Sequence, residues 1–68
     1  MNKNVLKEIV DEIIGSANEL LEMDNRDLVQ EGELIAYAES LSIIRDACAG
    51  YDLSEIGLDF DIDSKYLR

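Results

Sequence analysis

The chain has 68 residues and a net charge of −10, with sixteen acids against six bases and no histidine, tryptophan or proline. Missing histidine removes the usual general base near neutral pH and the commonest zinc ligand, and it excludes Ser-His-Asp and Cys-His catalysis. One cysteine excludes an internal disulfide, and this length allows a single small domain, residues 1–68, whose core is marginal without a partner or a staple.

The charge is spread, with −3 over residues 1–23, −2 over 24–32, −2 over 33–50 and −3 over 51–68. Such a surface repels nucleic-acid phosphates and anionic membranes, so neither direct nucleic-acid binding nor membrane binding is expected, whereas a basic protein partner is compatible with it. The basic residues Lys3, Lys7, Arg26, Arg45, Lys65 and Arg68 are scattered and form no patch. The first apolar residues are broken up by Lys7, Glu8, Asp11 and Glu12, so no signal peptide is expected, and no apolar run approaches a membrane span. The chain reads as a soluble, cytoplasmic protein of bacterial or phage type.

The first element is a helix over about 4–23, capped by Asn2 or Asn4. Val5, Leu6, Ile9, Val10, Ile13, Ile14, Ala17, Leu20 and Leu21 recur as apolar pairs about every four residues and make a wide amphipathic stripe. Its polar face carries Lys3, Lys7, Asp11, Asn18 and Glu22, and Lys7 and Asp11 can pair one turn apart. Gly15 is either a close-packing point or a weak spot, since Gly inside a helix costs about 1 kcal/mol relative to Ala. Met23 ends this helix.

Asp24-Asn25-Arg26-Asp27 is a break, because Asp and Asn bond to the nearby backbone and favour turns and caps. Asp24 or Asp27 can cap the next helix, over about 28–49. An early start is preferred because Leu28 precedes Leu34 and Ile35 by two turns on one face. Leu34, Tyr37 or Ala38, Leu41, Ile44 and Cys48 form the main apolar stripe around which the fold is organised. A second set, Ile35, Ala36, Ile43 and Ala47, widens that face and predicts contact with partners on more than one side. Gly50 is placed to end the helix in the left-handed conformation. Cys48 lies on the stripe and reads as a small buried hydrophobe, consistent with a reducing cytosol.

The arm, residues 51–68, mixes a turn with a short helical turn capped by Asp52 or Ser54. Leu58-Asp59-Phe60-Asp61-Ile62-Asp63 then alternates apolar and acidic residues, the period of an extended segment with one buried face. The last residues can form one helical turn capped by Asp63 or Ser64.

Two carboxylate patterns bear on chemistry. Asp59, Asp61 and Asp63 are spaced like the opening of a calcium loop, but Ser64 stands where that loop needs Gly, and its closing Glu falls beyond Arg68. Glu8 with Asp11 or Glu12, and Glu19 with Glu22, share helix faces. They lack the histidine that di-metal bundle sites normally add and fall mostly off the apolar stripe. Gly15, Gly32, Gly50 and Gly57 are too far apart for a phosphate loop. The tyrosines and Phe60 read as core and rim residues. No residue is therefore assigned a catalytic, cofactor-binding or metal role, and none of these groups is expected.

The expected fold is all-α. It is an antiparallel hairpin of two long amphipathic helices with an extended or short-helical C-terminal arm, pairing with a second copy into a dimeric four-helix bundle. The expected function is a non-enzymatic interaction or assembly module acting as a homodimer. The alternative is an acidic decoy that inhibits a basic nucleic-acid-binding protein by presenting carboxylates in place of phosphates.

Overall fold

The computed structural model describes residues 2–67, and everything below refers to them. Two long helices, α1 (Lys3–Leu21) and α2 (Leu28–Ala47), pack against each other and are followed by a 3-10 turn (Leu53–Ile56) and a short helix, α3 (Ile62–Tyr66). No strand occurs among the described residues. The turn packs on α1 and α3 packs on α2, so the arm closes one side of its own hairpin-like pair.

Local chemistry fixes the helix ends. Asn2 Oδ1 accepts the Asn4 N–H at 2.7 Å and starts α1. Asp27 Oδ1 accepts the Gln30 N–H at 2.8 Å, while Gln30 Oε1 accepts the Asp27 N–H at 3.0 Å. This reciprocal capping box satisfies two backbone donors that the first turn leaves free, and it sets the start of α2. The helix thus starts early, at Leu28, but the capping box and not an apolar contact of Leu28 sets that start. Leu28 is 91% exposed and lies off the buried face.

Three other boundaries differ from expectation. The α1 helix ends at Leu21, before Met23. Gly50 does not take a left-handed conformation: α2 closes through a tightened turn in which the Cys48 N–H reaches Ile44 and Arg45 carbonyls, and only Gly57 has positive φ, at 82°. Gly57 follows the 3-10 turn and lets the Leu58 N–H return to the Leu53 carbonyl at 2.9 Å. The cap of α3 is Asp61, not Asp63 or Ser64, because Ile62 is drawn inward and its predecessor is left facing the free N–H groups.

The core comprises Val10 and Ala17 from α1, Leu34, Ala38 and Leu41 from α2, Cys48, and then Ile56, Leu58, Ile62 and Tyr66 from the arm. The main stripe of α2 is thus buried as the periodicity indicates, with Tyr37 and Ile44 partly buried at its edge. Leu58 and Ile62 are buried and Phe60 partly so, while Asp59, Asp61 and Asp63 face out. The alternation of burial is as read, although the backbone that carries it is a loop running into a helical turn. Among the aromatics, Tyr66 is core, Tyr37 and Phe60 are rim, and Tyr51 stands exposed.

Candidate functional site

Helical phase divides each long helix into a buried centre and two flanks. On α1 the centre is Val10 and Ala17. The arm lies along the flank that carries Asp11 and Asn18. The Tyr66 hydroxyl donates to Asn18 Oδ1 at 2.7 Å, and a Cβ built on Gly57 would sit 3.8 Å from the Asp11 carboxylate. At the start of α1, Lys3 Nζ meets Glu55 of the arm at 2.7 Å. On α2 the arm occupies the side of Glu31 and Ile35, which line a hollow of about 310 Å³ together with Arg26, Leu34, Tyr66 and Leu67.

The opposite flank is open. On α1 it carries Val5, Ile9, Ile13 and Leu20; on α2 it carries Tyr37 and Ile44. Val5 is 47% and Ile9 is 38% exposed, and the other four are partly buried. These six side chains form an apolar face spanning both helices on the side the arm leaves uncovered. We take this face as the candidate site. The Lys7–Asp11 pair, at 2.8 Å, lies on the arm side, away from it.

The arm is held by polar contacts that periodicity does not show. Asp52 accepts from the Ser54 hydroxyl at 2.7 Å and from its N–H at 3.0 Å, and the hydroxyl bond is the main reason its carboxyl stays below the usual range. Asp61 is held low first by the Ser64 N–H at 3.1 Å and then by the Ser64 hydroxyl. Lys3 is raised, chiefly by its hydrogen bond to Glu55 and then by that carboxylate's charge. Phe60 and Tyr66 meet edge to face with centroids 6.2 Å apart, and Lys65 Nζ lies 5.2 Å from the Phe60 centroid.

Arg26 is the residue that sequence reading undervalued. Its guanidinium donates to the carbonyls of Leu20, Leu21 and Met23 at 3.0, 3.3 and 3.4 Å, while Nε meets Glu31 at 2.7 Å. It thus covers the free carbonyls and negative dipole end of α1 and ties them to the first turn of α2. A lone basic residue in an acidic turn, one turn past the helix end, is the signal that points to it.

The carboxylates singled out earlier do not converge. Asp59, Asp61 and Asp63 are exposed, and Asp61 is engaged as a cap. Glu8, Asp11, Glu12, Glu19 and Glu22 all lie on exposed surface. Among the described residues no group of three or more Asp, Glu, Cys or His is placed to hold a metal ion. Cys48 is a buried free thiol at the edge of a hollow of about 190 Å³ shared with Lys3, Leu6, Tyr51 and Ile56. The nearby Lys3 ammonium, which sequence distance concealed, is engaged by Glu55.

Among the described residues no helix is long and apolar enough to cross a membrane. No protein-family model, curated protein or solved structure matches the chain.

Proposed function

We propose that the protein is a small non-enzymatic interaction and assembly module that works as a homodimer. In this reading the hairpin is antiparallel, and two copies related by a twofold axis close their arm-free faces into a four-helix bundle. The observation that carries it is the persistence of half-exposed Val5 and Ile9 beside Ile13, Leu20, Tyr37 and Ile44, after the arm has covered the other side. Burying a Leu or Ile side chain contributes about 1.5–3 kcal/mol, so a second copy recovers energy that the single chain leaves unused. The arm serves its own hairpin and is not the joining element.

Light scattering over a range of concentrations tests this. The full chain is expected at twice the 7.7 kDa monomer mass. Ile9→Glu, at a position exposed enough to tolerate the carboxylate in a single chain, is expected to return it to monomer with its helical circular dichroism intact. Added salt is expected to strengthen the dimer, because each copy carries −10 and screening weakens their repulsion. A decoy bound to a basic partner would respond to salt in the opposite sense. A wild-type monomer at every concentration, or an Ile9→Glu dimer, would contradict the proposal.

A further inference from the structure

A second apolar surface lies on α2, facing away from both α1 and the arm. Val29, Gly32, Ala36, Ile43 and Ala47 follow one another at helical steps of three, four, seven and four residues and are all exposed, with Ile43 at 68%. Gly32 has no neighbouring atom within 4 Å of where a Cβ would sit, so another backbone can approach closely there. Glu39 borders this ridge on one side and Glu33 on the other; both are exposed, and neither has a basic partner among the described residues. The one basic residue within α2, Arg45, sits at the opposite, half-buried side and pairs with Asp46 at 3.3 Å.

We propose that this outer face of α2 docks a basic amphipathic helix of another protein. An apolar seam on that helix would pack over Val29, Ala36 and Ile43, and Lys or Arg residues on its flanks would meet Glu33 and Glu39. Charge complementarity selects this occupant. A second copy placed on the same face would set carboxylates against carboxylates with no cation to separate them, and like charges across an interface disfavour that pairing. The proposed dimer is centred on the arm-free flank, so Val29, Ala36 and Ile43 stay open in it, and Glu33, in the same helical row as Tyr37 and Ile44, stands at the border between the two surfaces.

The probe is a fluorescein-labelled peptide of about 14 residues, roughly four helical turns, built only from Leu and Lys at helical spacing. The control is a scrambled peptide of the same composition. At about 0.15 M salt, where the Debye length is about 8 Å, the amphipathic peptide is expected to saturate at one per chain. It is expected to bind about tenfold tighter than the scrambled one, because pure charge attraction does not distinguish them. Amide shift changes are expected along the outer face of α2. Ile43→Ser and the pair Glu33→Gln with Glu39→Gln should each weaken binding, while Val5→Ser on the other face should leave it unchanged. Ile43→Ser should also leave the solution mass unchanged, which separates this surface from self-association. Equal binding by the scrambled peptide, shifts confined to α1, or a Val5→Ser loss as large as that of Ile43→Ser would each overturn the proposal.

Discussion

Replacing Ile62 by Ala tests whether the arm is part of the core. Ile62 is fully buried, opens α3, and joins Ile56, Leu58 and Tyr66 in supplying the arm's share of the buried side chains. Truncating a buried Ile to Ala costs about 2–5 kcal/mol, comprising the lost transfer energy and the cavity left behind. A domain of this length has about 3–10 kcal/mol in total. One substitution in the arm should therefore remove a large part of the stability, even though α1 and α2 themselves are untouched. Urea unfolding followed by helical circular dichroism, at one fixed protein concentration, measures it. The matched control is Leu67→Ala, half-exposed one residue past α3, which should change stability by no more than about 0.5 kcal/mol. A loss below about 1 kcal/mol for Ile62→Ala would show that the arm does not dock as described.

The glycines should respond in opposite directions: Gly15→Ala meets only open space inside α1 and should stabilise by up to about 1 kcal/mol, whereas Gly57→Ala must hold φ at 82° and should cost about 1–2 kcal/mol, both read from thermal melts. Arg26→Met keeps the apolar stem but loses the bonds to the end of α1 and to Glu31, and should cost about 1–2 kcal/mol by the same assay. Asp52 and Asp61 have carboxyls lowered in the folded chain, so their contribution is whole above the ordinary value of 3.8 and is lost as pH falls below it. The Asp52→Asn and Asp61→Asn double variant should flatten the acid limb of the stability curve, and an unchanged limb would contradict that assignment. Lys3 runs the other way: its raised value keeps the Glu55 contact in force at neutral pH and releases it only as pH climbs through and beyond 10.5.

The parts of the fold that depend on near neighbours were legible in the sequence. The apolar steps from Leu34 to Cys48 mark the buried side of α2, Lys7 and Asp11 pair one turn apart, and Asn2, Asp27 and Asp52 were each among the capping residues named. The alternation at Leu58, Phe60 and Ile62 signals which side chains turn inward but not the backbone path, because a loop entering a helical turn can present the same alternation as a strand. What escaped the sequence depends on where distant elements meet. Tyr66 reaches Asn18 and Lys3 reaches Glu55 across more than forty residues, contacts that no local pattern encodes. Gly15 offered either close packing or a weak spot, and the open space around it supports the second. Ile35, Ala36, Ile43 and Ala47 predict a wider buried face; in a single chain all four are exposed, Ile35 at the edge of the hollow beside the arm and the other three on the part of α2 that neither α1 nor the arm covers. The candidate face on α1 and α2 was visible as a surplus of apolar residues, but the side left free could be named only once the arm's position was known.

Pairing through the arm-free faces is tested by an isotope-filtered nuclear Overhauser experiment on an equimolar mixture of labelled and unlabelled chains, which reports only contacts between copies. Cross-peaks between copies are expected from Val5, Ile9, Tyr37 and Ile44, and none from the arm residues Leu58 and Ile62, which are buried within their own chain. Cross-peaks centred on Leu58 and Ile62 would mean that the arm is exchanged between copies, and the absence of cross-peaks from Val5, Ile9, Tyr37 and Ile44 at concentrations where the mass is dimeric would place the joining surface elsewhere; either result contradicts the proposed bundle.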